Sequence, residues 1–228
     1  MMYTYLLLNL FTIAFPLALS FDKNVHFYKN WKYLFPAIFI TLIFFVIWDY
    51  FFTIAGIWGF NHEYLTGIWI QQLPLEEWLF FITVPYACVF IYETLKFYVK
   101  KDIMQPLARI ITWPLAILLI LIGILNFEQT YTFYNFIFTG SFIIVHWLIF
   151  KYHYMGRFYL AYLVHLIPFL LVNGILTYLP IVWYNNEENF GIRIGTIPVE
   201  DTVYSLLLLL MNVTIFEYLR NKSKKAQT

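Results

Sequence analysis

Charged residues are scarce in this chain of 228 residues: they make up 12% of it, whereas 62% of the residues are hydrophobic and 23% are aromatic. Soluble domains carry roughly 25% charged residues. A chain with so little charge has too few polar side chains to keep its apolar surface away from water. The composition therefore excludes an ordinary soluble domain and indicates an integral membrane protein with most of its length in the bilayer.

Cysteines and cofactor-binding motifs are also nearly absent. The single cysteine, Cys88, excludes an internal disulfide framework and a multi-cysteine metal site. The chain contains no G-x-G-x-x-G segment, no Walker loop and no G-x-S-x-G elbow. Its basic residues are too dispersed for a nucleic-acid-binding stripe. We therefore expect no metal, no cofactor and no nucleic-acid partner, and any chemistry should be redox-neutral proton transfer.

Seven apolar segments can be read along the chain, and each is close to the 17–25 residues that cross a hydrocarbon core of about 30 Å. Their approximate limits are 3–20, 34–56, 75–97, 107–125, 131–149, 158–180 and 201–219. Because backbone groups in lipid must be hydrogen-bonded internally, these segments should be helices. The sequence thus predicts an all-α integral membrane protein with seven transmembrane helices.

The basic residues predict the orientation of these helices. Of the 14 Lys and Arg residues, all except Arg193 fall in the first, third and fifth loops or their flanks and in the C-terminal tail. Cytoplasmic loops carry the excess of Lys and Arg. We expect a multi-pass protein of the cell (inner) membrane, with its N-terminus outside and its C-terminus in the cytoplasm.

An acidic motif occurs twice, each time at the start of an apolar segment. Pro-Leu-Glu-Glu at 74–77 is followed 124 positions later (198 minus 74) by Pro-Val-Glu-Asp at 198–201, and Asp49 matches Asn173 at the same offset. Helices one to three and five to seven would be copies in the same orientation, joined by helix four, with a pseudo-two-fold axis along the membrane normal. The expected divisions are a first repeat at 1–104, a linker helix at 105–126, a second repeat at 127–220 and a basic tail at 221–228.

Two explanations compete for the acidic motif. Proline and acidic residues are favoured in the first turn of any helix. A generic helix start, however, does not require the same acids at the same offset. Adjacent carboxylates differ by about 100° around a helix, so that one can face a cavity while the other caps backbone N–H groups. Carboxyl groups in apolar surroundings can hold a proton at neutral pH and act as a general acid beside a base.

These considerations select the candidate site residues. We expect catalytic roles for four acidic residues: Glu76, Glu77, Glu200 and Asp201. We expect supporting or substrate-binding roles for seven further residues: Asp49, Asn173, Pro74, Pro198, Trp69, Trp78 and Tyr204.

The aromatic rings near the acids, which include Phe80 and Phe81, would stabilise a carbocation. Asp49 has two interpretations, as a member of the site or as a structural partner. For Glu93 and Glu217 we expect structural pairing with Lys96 and Arg220, three residues further along each helix.

The segments 74–93 and 191–217 resemble the lycopene cyclase domain of the heterodimeric type, through Pro-x-Glu-(Glu/Asp) and the Val-Pro-Tyr-Ala-Cys run at 84–88. In some bacteria this family consists of two small membrane subunits, and in others, and in fungal fusions, the halves are joined. The resemblance implies the fused form, with the four acidic residues as the family signature. It also implies that an acid protonates a terminal double bond of lycopene, a neighbouring double bond attacks the cation, and a base removes a proton. The second copy lacks the Val-Pro-x-Ala-Cys portion.

By this resemblance the partners are lycopene or a related acyclic carotenoid and membrane lipid, and β rings are the expected product. A small proton-coupled transporter also has parallel three-helix repeats, although the Pro-Gln pair of such transporters is missing here. A non-catalytic partner subunit is the third alternative. The sequence leaves open the ring type (β, γ or ε), whether one or both ends react, the substrate length, which carboxylate holds the proton, and whether the chain forms a homo-oligomer.

Overall fold

The computed structural model describes residues 2–226, and within this range the chain forms seven α-helices. They are α1 (Thr4–Leu19), α2 (Trp31–Ile54), α3 (Leu75–Tyr98), α4 (Gln105–Leu125), α5 (Thr130–Phe150), α6 (Met155–Tyr178) and α7 (Val199–Lys225). Six of these helices are long and apolar enough to cross a membrane, and α1 is an apolar helix of 16 residues. The predicted all-α membrane fold is confirmed. The observed limits lie within a few residues of the predicted ones, except that α7 continues to Lys225.

Short strands, which the sequence analysis did not predict, occupy the two loops that lead into α3 and α7. They are β1 (Trp58–Phe60), β2 (Trp69–Ile70), β3 (Leu73–Pro74), β4 (Val182–Tyr184), β5 (Arg193–Ile194) and β6 (Ile197–Pro198). In each copy a strand is followed by a 3₁₀ turn and then by a hairpin, β2–β3 or β5–β6. The two loops therefore repeat each other in structure as well as in sequence.

The strand β1 pairs antiparallel with its own copy, β4. The paired residues are Trp58 with Tyr184, Gly59 with Trp183, and Phe60 with Val182. The central pair, Gly59 and Trp183, joins two residues that are equivalent at the offset of 124 (183 minus 59). Antiparallel pairing of a segment with its own equivalent is what a two-fold axis requires. The pseudo-two-fold axis between the repeats therefore passes through this ribbon.

The helices of one copy pack largely against those of the other. Within the copies, α1 packs on α3 and α5 on α7. Across the axis, α2 packs on α7 and α6 packs on α3, and α4 lies against α5 and α6. The helices α3 and α7 are the most buried of the six long helices, because each contacts both copies. This arrangement brings the first turns of α3 and α7 close to the axis.

At the other end of α3 and α7, four charged residues form a closed network. Lys96 Nζ lies 3.4 Å from Glu93 and 3.1 Å from Glu217. Arg220 Nη1 lies 2.8 Å from Glu93, and the same guanidinium also pairs with Glu217. The pairs within each helix are those that the sequence predicted. The pairs between helices tie one repeat to the other, so that the copies are joined at both ends of their central helices.

We expect Arg220→Ala to lower the free energy of unfolding by about 3–5 kcal/mol. The substitution removes one of the two cations that pair with the buried carboxylates of Glu93 and Glu217, and Lys96 is the cation that remains. Denaturant unfolding of the purified protein in detergent micelles measures this. The matched control is Lys222→Ala, an exposed residue of the same helix, which should change stability by less than about 0.5 kcal/mol. Equal stability of the two variants would contradict a structural role for the network.

Candidate active site

The two acidic motifs are held in equivalent positions by the hairpins that precede them. Pro74 ends β3 and Pro198 ends β6, and the next residue begins α3 or α7. The N–H of Leu75 donates to the carbonyl of Ile68 at 2.9 Å, and the N–H of Val199 makes the equivalent bond at 3.0 Å. Proline cannot donate from its own nitrogen and has a restricted φ, so it ends the strand and lets the helix begin. The acidic pair of each copy thus lies in the first helical turn.

The first carboxylate of each pair faces its own loop. Glu76 Oε1 accepts a hydrogen bond from the N–H of Thr66 at 2.6 Å. Glu200 Oε1 accepts one from the equivalent N–H, that of Phe190, at 2.7 Å, and another from Thr132 Oγ1 at 2.8 Å. Both glutamates are completely buried. They anchor the loops to the helix starts, and neither lines the pocket described next.

The second carboxylate of each pair, Glu77 or Asp201, faces a common pocket of about 60 Å³ beneath the β1–β4 ribbon. Trp58 and Leu176 contribute apolar surface to it. Most of the lining consists of repeat equivalents: Asp49 with Asn173, Phe60 with Tyr184, Glu77 with Asp201, and Phe80 with Tyr204. The pocket therefore lies on the pseudo-two-fold axis, and both copies contribute to a single site.

Asp201 is held by three hydrogen-bond donors. Tyr131 donates to Oδ1 at 2.6 Å, and Asn173 and Tyr184 donate to Oδ2 at 2.7 and 2.9 Å. Enclosure in the pocket raises the pKa of Tyr184 well above its usual value, and the negative charge of Asp201 raises it further, so this hydroxyl remains a donor. A carboxylate that accepts three hydrogen bonds is stabilised as an anion. The three donors therefore favour the charged form of Asp201 and oppose the effect of its burial.

The first copy differs, because it has a carboxyl pair at the corresponding place. Tyr5 donates to Glu77 Oε2 at 2.5 Å, and Tyr204 donates to Asp49 Oδ1 at 2.9 Å. The carboxyl groups of Asp49 and Glu77 also lie close enough to interact directly with each other. Two carboxyl groups that share a buried site favour a state in which one of them keeps its proton. The pocket therefore has a pair of carboxyl groups on one side and, on the other, a single carboxyl group that accepts three hydrogen bonds.

The remaining aromatic candidates divide into two groups. Tyr204 and Phe80 line the carboxylate pocket. Trp69 lies in β2 with its ring 4.7 Å from that of His62, and Trp78 lines a separate depression. The structure therefore does not bring Trp69 and Trp78 to the carboxylate pocket, because they project from the loop and from the outer side of α3.

The tyrosines that hold the carboxylates do not follow the repeat offset of 124 and were not among the predicted site residues. Tyr5 and Tyr131 are equivalent residues of α1 and α5, but their offset is 126 (131 minus 5) rather than 124. Four residues further on, Asn9 and Asn135 donate to the backbone carbonyls of the first glutamate in each acidic pair, at 3.0 and 2.7 Å. A search that allowed a two-residue shift in the first helix of each repeat would have found this shared Tyr-x-x-x-Asn pattern.

The fold and the site define a polytopic membrane protein of two parallel repeats, with a carboxyl-containing pocket on the axis between them. A family model for lycopene cyclase matches residues 2–95 and 128–219, which is most of both repeats and leaves out α4. The chain belongs to the lycopene cyclase family. A carotenoid is the substrate class that this membership implies. No curated protein and no solved structure matches the chain significantly.

We expect Glu200→Ala to lower the free energy of unfolding by about 1–3 kcal/mol for each donor that it leaves unpaired, those of Phe190 and Thr132. Thermal unfolding followed by circular dichroism measures this. The matched control is Glu187→Ala, an exposed glutamate of the same loop, which should unfold close to wild type. A loss no greater than that of the control would show that Glu200 does not anchor the loop.

Proposed function

We propose that this chain converts the acyclic ends of lycopene, or of a related acyclic carotenoid, to β rings by acid–base chemistry within the membrane and without a cofactor. The observation that carries the proposal is the carboxyl pair of Asp49 and Glu77, which faces an aromatic pocket with Asp201 on its other side. Family membership supplies the substrate class. The pocket supplies an acid, an anion and apolar walls.

The first step would be proton transfer from the carboxyl pair to the terminal double bond of the substrate. A carboxyl group in apolar surroundings, next to a second carboxyl group, retains its proton more readily than one in water. It is therefore present in its acid form at neutral pH, and this is the form that can donate a proton to the substrate. Glu77 is the group that we assign to the transfer, and Tyr5 holds the conjugate base by donating a hydrogen bond to its Oε2.

The second step would be ring closure on the resulting tertiary cation. The electron pair of a neighbouring double bond forms the new carbon–carbon bond, and the positive charge moves to the ring. Asp201, held as an anion by its three donors, would stabilise this charge electrostatically. The rings of Trp58, Phe80 and Tyr204 line the same pocket, and their faces attract a cation.

The last step would be loss of a ring proton to the conjugate base of the carboxyl pair, which restores the double bond and the acid. The proton gained equals the proton lost, so the reaction is an isomerisation that needs no oxidant or reductant. Asp201 is a poor acceptor for this proton, because three donors already occupy its oxygens. We therefore assign both proton transfers to the side of the pocket formed by Asp49 and Glu77.

The proposed location of the reaction follows from the distribution of basic residues. If the tail after α7 is cytoplasmic, the first turns of α3 and α7 lie near the outer face of the membrane. The carboxylate pocket is then close to the outer surface but enclosed by apolar helices. Water would be scarce there, which protects a carbocation from hydration.

We expect Glu77→Gln to reduce ring formation by about 10²–10⁴-fold, because the amide cannot donate the proton that starts the reaction. Purified protein in lipid vesicles is supplied with lycopene alone, and cyclic products are quantified by chromatography. Asp49→Asn should also lose activity, since it removes the second carboxyl group of the pair.

The matched control is Glu76→Gln, one residue away. Its side-chain oxygen still accepts the hydrogen bond from Thr66, and the residue does not line the pocket. It should retain most of the activity. The proposal fails if Glu77→Gln remains active, or if Glu76→Gln loses as much activity as Glu77→Gln. Wild-type protein that forms no rings under these conditions would also refute it.

A further inference from the structure

An apolar groove of about 220 Å³ runs between α1, α3 and α6. Its walls include Phe11 and Phe15 of α1, Ile91 of α3 and Phe169 of α6. Phe11 and Phe15 are 61% and 66% exposed, so this side of the groove opens toward the bilayer. Within residues 2–226, no Asp, Glu, Lys or Arg side chain lines the groove. A ligand of this groove must therefore be apolar and reachable from the lipid.

The few polar side chains of the groove already have hydrogen-bond partners within the protein and do not require a polar ligand. The thiol of Cys88 lies 3.2 Å from Nδ1 of His165, and Thr12 Oγ1 donates to the carbonyl of Leu8 in its own helix at 2.8 Å. These groups are satisfied by the protein itself. The remaining polar residue, Asn173, donates to Asp201.

The groove adjoins the carboxylate pocket at one end. Phe80 and Asn173 line both of them. From Phe80 to Ile91 the groove follows α3 over 11 residues (91 minus 80), which corresponds to about 16 Å along the helix. A long apolar molecule can therefore lie along α3 with one end among the carboxyl groups.

The equivalent space in the other copy is filled by aromatic side chains. Phe138 of α5 stands where α1 has Thr12, at the offset of 126 (138 minus 12). Its ring lies 5.0 Å from that of Trp48 and 5.8 Å from that of Phe44, and Trp48 in turn contacts Tyr204 at 5.3 Å. A depression remains on the outer side of these rings, but it shares no residue with the carboxylate pocket.

Side-chain size on the central helices explains the difference. The groove is lined by Val84, Ala87 and Cys88 of α3. At the offset of 124, α7 carries Leu208, Met211 and Asn212 instead, all of them buried. The departure of the second copy from the Val-Pro-x-Ala-Cys run therefore acts together with Phe138 to close one groove, while the other stays open.

We propose that the groove between α1, α3 and α6 binds the polyene chain of the carotenoid substrate, with the reacting end in the carboxylate pocket and the remainder extending toward the lipid. This inference rests on the proposed function and adds the path of the substrate. The polyene chain is rigid and apolar and has no hydrogen-bonding groups, and the groove walls offer no free hydrogen-bonding groups to a ligand. The groove also adjoins the carboxylate pocket, which distinguishes it from other lipid-facing surfaces.

The test compares two substrates in lipid vesicles: lycopene, and a truncated acyclic terpenoid that keeps the reacting end but lacks the central polyene. Ile91→Trp narrows the groove at its far end, about 16 Å from Phe80. It should lower cyclisation of lycopene by about tenfold or more and leave the truncated substrate near the wild-type rate. The matched control is Ile167→Trp, 67% exposed on α6 and outside the groove, which should cyclise both substrates normally.

A second variant, Thr12→Phe, introduces the residue that the closed copy carries at the equivalent position, and it should show the same selective loss. Turnover of the truncated substrate shows that each variant is folded and chemically competent. Equal loss on both substrates in both variants, or no loss on lycopene, would overturn the inference. Failure of the wild type to cyclise either substrate would instead refute the proposed function.

Discussion

Carboxyl groups in an apolar helix bundle must be hydrogen-bonded, because an unpaired buried charge costs several kilocalories per mole. This constraint organises the whole structure. The loops before the hairpins supply backbone N–H groups to Glu76 and Glu200, and tyrosines of α1 and α5 supply hydroxyl groups to Glu77 and Asp201. Each acidic pair is thereby divided into one residue that holds the loop and one that faces the axis.

The division explains why the repeat is retained as a unit of three helices. The second helix of a repeat supplies Asp49 or Asn173, the third supplies the acidic pair, and the first supplies the tyrosine. Each of the three helices therefore contributes either a carboxyl group of the pocket or a partner of one. The helix α4, by contrast, lies outside the family match and contributes nothing to the pocket lining. It links two copies that must point in the same direction.

Small departures from two-fold symmetry give the two sides of the pocket different chemistry. Asp49 faces Glu77 as a second carboxyl group, whereas its equivalent, Asn173, donates an amide hydrogen bond to Asp201. One side therefore pairs two carboxyl groups, whereas the other surrounds a single carboxyl group with hydrogen-bond donors. A symmetric pocket with two identical sides would lack this difference. The same kind of departure, in the smaller residues of α3, leaves an apolar groove that adjoins the carboxylate pocket on one side.

The sequence by itself determined the membrane class, the seven helices, the repeat and the acidic pairs, because hydrophobic length and a fixed offset are local properties of the chain. It also indicated that adjacent carboxylates would face different directions. Which of them faces the axis depended on where the loop N–H groups lie, and this only the tertiary structure decided. The tyrosines were missed because α1 and α5 are shifted by two residues relative to the main repeat. The placement of Trp69 and Trp78 away from the carboxyl groups likewise followed from packing against other parts of the first repeat, which spacing within the chain does not record.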